Sequence, residues 1–121
     1  MLMSISSWPQ QHAERPIAYL TTIGRVTGEP HRIEIWFAVD GERILLMSGG
    51  GDRSDWVKNL IANPTVQFEL GSETHTGRAN VITPDSNDDA RARDMLVEKY
   101  QKADELADWR VRSLPIEVTF P

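Results

Sequence analysis

The feature that most restricts this chain is a period-two alternation that runs straight into a two-residue turn. Ile33, Ile35, Phe37 and Val39 share one parity, and Arg32, Glu34, Trp36 and Ala38 share the other. Successive side chains of a strand point to opposite faces, so the alternation predicts a half-buried strand over residues 31–39. Asp40-Gly41 follows at once, a pair suited to a hairpin turn whose central residues take positive φ. Residues 43–48, Arg-Ile-Leu-Leu-Met-Ser, then read as the returning strand. The pair is expected to be antiparallel.

Similar signals extend along the chain. Residues 17–23 form a strand rich in β-branched and aromatic side chains, followed by a turn from Gly24 to Pro30. Residues 65–70 and 74–82 make another hairpin around Gly71-Ser72. Between these, Ser54 or Asp55 is placed as the N-cap of a short amphipathic helix carrying Trp56, Val57 and Leu60 and ending near Asn63-Pro64. Pro84-Asp85-Ser86-Asn87 opens a second helix, with Ser86 and Asp89 as a capping box in its Asp form. Its apolar stripe is Ala92, Met95, Leu96, Tyr100 and Ala103. Residues 114–120 form a last strand, and Pro115 suits its beginning or a sheet edge. Residues 1–14 are polar and irregular, a loop or short helix with Trp8-Pro9 as its anchor on the body. The expectation is a β-rich α+β chain: an arm over residues 1–15, then one antiparallel barrel over 16–121 with about six strands and two helices, not a doubly wound parallel sheet.

Composition narrows the chemistry. At 121 residues the chain suits one domain, and its net charge of −5 disfavours a general nucleic-acid binder. Any anion site is therefore a local concentration of positive charge. With no cysteine there is no disulfide and no thiolate chemistry, which fits a cytoplasmic protein. No apolar run approaches the roughly 18 residues of a membrane span, and the start lacks the basic-then-apolar order of a secretory signal. His12, His31 and His75 are scattered without helix-face spacing, so no metal is expected. No nucleophile elbow is present, which argues against a hydrolase. Asp85, Asp88, Asp89 and Asp94 lie around a helix start and are read as structural.

Two segments remain as candidates for binding. Gly49-Gly50-Gly51 lets backbone N–H groups approach a phosphate at the start of a helix, or it simply makes a tight strand-to-helix connection. It has neither the ending of a phosphate-binding P-loop nor the parallel context of a dinucleotide fingerprint. Arg25, His31 and Arg32 flank one turn, where they can converge on an anion or form a solvated tip paired with Glu29 or Glu34. Trp36 and Trp56 offer flat apolar surface to a ring, though a Trp in a small domain is more often core.

Together these residues resemble a family. Thr-Thr-Ile-Gly-Arg-x-Thr-Gly-x-Pro, an aromatic strand, Asp-Gly, Ser-Gly-Gly-Gly and Trp-x-x-Asn-Leu-x-x-Asn-Pro are similar to the deazaflavin-dependent nitroreductases, from about Tyr19 to Phe68. The resemblance implies a flavin-reductase-like split β-barrel that uses coenzyme F420 and passes hydride to or from a quinone or nitro compound. It implies that Arg25 and His31 meet the coenzyme's phosphate and oligoglutamate tail, and that Ser48 and Gly49 lie beside the ring. Trp56 and Asn59 are implied near the phosphodiester, and Trp36 on the substrate side. The full candidate set adds Arg32, Met47, Gly50 and Gly51 as cofactor contacts, with Ser48 and Tyr100 as proton donors and His31 as a further one. Val26 and Gly49 stand where better-known members carry Lys, which implies fewer cations for the tail. FMN is the alternative cofactor, and a non-catalytic cofactor- or lipid-binding protein the alternative function. A homodimer is compatible with related barrels.

Overall fold

The computed structural model describes residues 8–100 and 103–121, with the side chains of 103–105 outside the described set. Residues 1–7 of the expected arm and the side chain of the expected stripe residue Ala103 therefore lie outside the described set. The elements run β1 (Ala18–Ile23), β2 (Pro30–Ile35), β3 (Ala38–Asp40), β4 (Arg43–Ser48), α1 (Asp55–Ala62), β5 (Thr65–Leu70), β6 (Glu73–Val81), α2 (Asn87–Tyr100), α3 (Ala103–Arg112) and β7 (Leu114–Thr119). Short 3-10 turns cover Gln10–His12 and Gly51–Arg53.

All seven strands form one sheet in the order β2-β1-β5-β6-β7-β4-β3. Every neighbouring pair is antiparallel, including those across Gly24–Pro30, Asp40-Gly41 and Gly71-Ser72. The turn glycines Gly28, Gly41 and Gly71 take φ of 77, 64 and 61°, a region where a Cβ is strained.

The strand expected over residues 31–39 is two strands, which raises the count from about six to seven. β2 pairs with β1 at one edge of the sheet, and β3 pairs with β4 at the other. The chain crosses between edges at Trp36-Phe37, so the sheet must curl until its two edges meet: a split barrel. Leaving the ladder costs Phe37 its strand partners, and α2 replaces them. The Phe37 N–H donates to Tyr100 Oη at 3.0 Å, and Lys99 Nζ donates to the Phe37 carbonyl at 2.9 Å.

The interior of the curled sheet holds Leu20, Phe37, Ile44, Leu46, Phe68, Ile116 and Val118, plugged from one side by Val57 and Leu60 of α1. A second apolar layer lies outside, where Leu45, Met47 and Ile82 meet Ala92 and Leu96 of α2. β4 is thus covered on both faces, which accounts for its unbroken Ile-Leu-Leu-Met run. β7 lies between β6 and β4, so Pro115 marks the beginning of an interior strand, not an edge.

Among the described residues the α-helices number three, not two. Among the described side chains of α3, Leu106 is buried and Trp109 packs against the layer beneath α2, too sparse a pattern to stand out in the sequence. Arg93 of α2 reaches the Arg110 carbonyl of α3 and tethers the two. At the start of α2, Ser86 Oγ accepts the Asp89 N–H at 3.1 Å as expected, but the Asp89 carboxylate takes the Asp85 N–H at 2.7 Å, one residue earlier than the box predicts. Trp8 anchors the start of the described chain as expected: it stacks on His75 with centroids 3.8 Å apart and meets Phe120 edge-on.

Candidate functional site

The β1–β2 turn is tight. Gly24 N–H donates to the Glu29 carbonyl at 2.7 Å, and Gly28 N–H to the Gly24 carbonyl at 2.9 Å. A Cβ on Gly24 would stand 2.6 Å from His31 Nε2, so only glycine lets the imidazole fold over the turn. That ring makes no hydrogen bond or ion pair among the described residues.

Arg25 leaves the same turn toward α1. Asp55 and Asn59 lie one helical turn apart and present their side chains to it together. Asn59 is 3% exposed. Its Oδ1 accepts both the Arg25 backbone N–H at 3.1 Å and Arg25 Nη1 at 2.8 Å. Its Nδ2 donates to Thr22 Oγ1 of β1 at 3.2 Å. The amide thus rivets helix, strand and turn, and fixes one side of the guanidinium. On the other side Arg25 Nη2 meets Asp55 Oδ1 at 3.2 Å, and Nη1 reaches the Asp55 carbonyl at 3.5 Å. Arg25 therefore pairs with Asp55, not with the Glu29 expected from the sequence.

These residues border a cavity of about 450 Å³ lined by Gly24, Arg25, Val26, Thr27, His31, Ile33, Asp55, Trp56 and Asn59. The size falls in the roughly 300–1,000 Å³ range of small-molecule clefts. Arg25 and His31 supply its cationic and titratable groups, and Ile33 and Trp56 its apolar wall. Four of the candidate residues, Arg25, His31, Trp56 and Asn59, meet here.

Arg32 does not line this cavity. It points to the opposite face of β2, where Nε and Nη2 grip the Glu69 carboxylate at 2.8 and 3.1 Å and the guanidinium lies 3.9 Å from the Tyr19 ring centre. That pair replaces the Glu29 or Glu34 partner expected of it. Hydrogen bonding to Glu69 raises the Arg32 pKa, and the same bond lowers that of Glu69.

The glycine loop borders a second cavity of about 540 Å³, lined by Gly49 to Ser54 and by Arg112. Two of the three glycines have a local reason to be one: a Cβ on Gly50 would lie 2.5 Å from Ser54 Oγ, and Gly51 has φ of 62°. Gly49 sits under Trp109, where an added Cβ would meet the ring at an ordinary contact distance of 3.4 Å. Ser48 Oγ donates to the Gly51 carbonyl at 2.9 Å and pairs with Ser54 Oγ at 2.8 Å. Ser54 is the residue before α1 but makes no side-chain cap; its hydroxyl serves this knot. Of the two sequence readings, this packing supports the tight connection for Gly50 and Gly51.

An aromatic group stands beside the loop. Trp36 stacks on Tyr100 at 4.1 Å and meets Trp109 edge-on at 5.6 Å. The Tyr100 hydroxyl donates to the Pro16 carbonyl at 2.8 Å, and burial raises its pKa. Met47 is buried beneath α2, away from both cavities. Trp109 and Asp55 were not singled out in the sequence. Trp109 sits on the helix that escaped notice, and Asp55 was read only as a cap, although its i, i+4 relation to Asn59 would have put it on the same helix face.

The model of the F420H(2)-dependent quinone reductases matches residues 6–121. The chain belongs to that family. The family is named for quinone acceptors, so the nitroreductase label of the resemblance is the looser one. An F420H(2)-dependent quinone reductase of Mycobacterium tuberculosis, Rv1261c, is 34% identical over 79 residues, which cover 63% of this chain and 53% of that protein. The chain thus spans about half the length of the curated relatives it matches. Among solved structures, an F420-H2 dependent reductase (FDR-A) superposes with a TM-score of 0.69 at 24% identity, covering 86% of this chain and 93% of the other. A chain described as a domain-swapped dimer gives 0.68 at 22% identity, covering 86% and 79%. These two likenesses show the split-barrel fold of the F420H(2)-dependent quinone reductase chain described above. No helix among its described residues is long and apolar enough to cross a membrane, and they contain no cluster of three metal-ligating side chains.

Proposed function

We propose that this chain is an F420-dependent oxidoreductase that transfers hydride between the reduced coenzyme and a small organic acceptor, a quinone first of all. The observation that carries the reading is the cavity on the β1–β2 turn. It joins a guanidinium held from behind by a buried amide, an imidazole without a partner among the described residues, and an apolar wall of Ile33 and Trp56. Such a lining suits a ligand with an anionic end and a flat body, which is the chemical character of a deazaflavin bearing a phosphate and glutamates.

When bound, the coenzyme supplies the hydride chemistry through its deazaflavin ring. The protein's residues bind and orient. Arg25 and His31 take the anionic portion, and Arg25 keeps hydrogen-bond donors for it beyond those given to Asn59 and Asp55. Asn59 and Thr22 keep the guanidinium aimed. Trp56 excludes water from one wall. Ser48 holds the Gly49–Gly51 backbone in place beside Trp36 and Trp109, the aromatic surface of the acceptor side. Ser48 and Tyr100 remain the proton donors of this reading. Each holds its proton on a backbone carbonyl, that of Gly51 or Pro16, and must leave that bond to donate. Arg32, turned to Glu69, and Met47, beneath α2, contribute through the sheet and core. A homodimer and a cytoplasmic location belong to the same reading, supported by the domain-swapped relative and by the absence of cysteine.

The test is to titrate purified protein with F420 and with FMN separately, following fluorescence quenching, and then to mix it with reduced F420 and a naphthoquinone. Saturable F420 quenching and quinone-dependent oxidation of the reduced coenzyme are expected. If FMN saturates the protein while F420 at tens of times the protein concentration leaves it unchanged, FMN is the cofactor instead. Binding without turnover of any acceptor would make it a carrier.

A further inference from the structure

We propose that Asp55 is a placeholder for the ligand's anion: it keeps the Arg25 guanidinium in its ligand-facing pose and must give way on binding, so that it sets how strongly a ligand group has to bind Arg25 to take its place. This rests on the reading that the cavity receives an anionic coenzyme.

The two partners of Arg25 differ in kind. Asn59 is buried, its oxygen receives two Arg25 donors, and its nitrogen is tied to Thr22, which is itself fully buried. Moving it would strand polar groups inside the barrel. The Asp55 side chain is 86% exposed and holds Arg25 Nη2 by one contact at 3.2 Å. Its carboxylate returns to water without stranding anything. Asn59 therefore fixes the guanidinium, while Asp55 occupies a position that another anion can take.

The magnitudes decide which anion wins. An exposed pair of this kind shifts an equilibrium by up to about fivefold. A phosphate or a carboxylate bound through two hydrogen bonds to Arg25 contributes about tenfold to a hundredfold. Such a ligand displaces Asp55 with affinity to spare. A neutral group cannot, and it meets an arginine already paired. Asp55 thus lowers the affinity of anionic ligands by what its own pair with Arg25 is worth, keeps weaker acceptors off the guanidinium, and leaves ligands that do not use Arg25 unaffected.

The test compares wild type, Asp55→Asn, Asp55→Ser and, as control, Asp52→Asn. Asp52 lies three residues earlier, in the 3-10 turn before α1, and makes no contact with Arg25, so its loss removes the same charge from a neighbouring position. The probes are F420, the deazaflavin riboside that lacks phosphate and glutamates, and inorganic pyrophosphate followed by NMR on the Arg25 Nε–H and Trp56 indole signals. Both Asp55 variants are expected to bind F420 and pyrophosphate about three- to fivefold more tightly at low salt, and the riboside within twofold of wild type. Asp52→Asn should change each by less than twofold. In an Arg25→Ala background the gain from Asp55→Asn should shrink to about twofold or less. Equal F420 affinity in wild type and Asp55→Asn would overturn the placeholder and leave the coenzyme reading intact. So would an equal gain from Asp52→Asn, or a gain that persists in full without Arg25. If no form of the protein binds F420, the coenzyme reading fails, and pyrophosphate still decides: tighter binding in Asp55→Asn supports the placeholder, and unchanged binding overturns it.

Discussion

Arg25 and Arg43 are both arginines beside acids at the end of a hairpin, yet they are held in opposite ways. Arg43 begins β4 and meets three carboxylates: Asp40 at 2.8 Å, Glu117 at 3.0 Å and Asp88 at 3.1 Å. Arg91 of α2 adds a two-point grip on Asp40 at 2.8 and 2.9 Å. The network closes on itself and staples the β3–β4 hairpin to α2 and β7. Arg25 has one exposed carboxylate and one buried amide. The first arginine is spent on structure, whereas the second keeps donors in reserve. A cation marks a binding site by how little of its hydrogen-bonding capacity the protein consumes, not by its presence.

The sharpest way to break this contrast is to exchange what each arginine is asked to do. Arg43→Ala leaves three carboxylates converging without their cation and should cost about 2–3 kcal/mol in urea unfolding, with coenzyme affinity unchanged within about twofold. A stability loss under about 0.5 kcal/mol would show the network to be idle. Arg25→Ala should do the reverse. Coenzyme binding falls about tenfold to a hundredfold, or roughly 1.5–3 kcal/mol, while unliganded stability falls by no more than about 1 kcal/mol. Unchanged affinity at low salt would remove Arg25 from the site.

Acid sharpens the comparison further. Hydrogen bonds from Arg91, and then from Arg43, against the opposing effect of burial, hold the Asp40 carboxyl at about 2 instead of 3.8. The folded value is the lower, so the stabilisation is complete above 3.8 and is lost as pH falls from there through about 2. Unfolding measured against pH should show this loss in wild type and a shallower acid limb in Asp40→Asn. The smallest effect is that of salt. Raising ionic strength from low to half-molar should weaken coenzyme binding about threefold in wild type and less in Arg25→Ala, since one screened attraction is already gone.

Local chemistry made the turns legible. Gly28, Gly41 and Gly71 stand where the backbone takes positive φ, and the residues around them say so. The break at Trp36-Phe37 was not legible, because the alternation runs through it undisturbed. What divides the strand is its partners, β1 on one side and β4 on the other, and those lie far off in sequence. At the site, the period of two already separates Arg32 from His31 and sends it to the outer face of β2. The same parity puts Met47 with Leu45 beneath α2. Arg25, His31, Trp56 and Asn59 were named in advance, but the Arg25–Asp55 pair spans 30 residues and depends on where α1 docks on the barrel. Glycine positions were visible, but their cause was not. Gly50 and Gly51 owe their place to Ser54 and to their own backbone as much as to any guest.

The place of β7 bears on how the protein is made. β7 is translated after all six of the other strands in its sheet, and it is inserted between β4 and β6. Until it leaves the ribosome, β3 and β4 form one two-stranded ribbon and β2, β1, β5 and β6 another sheet, with no strand pairing between them. Two strand edges flanked by Leu46, Met47, Ala79 and Val81 then stand open to any neighbouring chain. A chain stopped just before Leu114 would hold six of the seven strands and yet leave the barrel in two parts. Nascent copies of this protein accordingly depend on synthesis running to β7 before their open edges find one another.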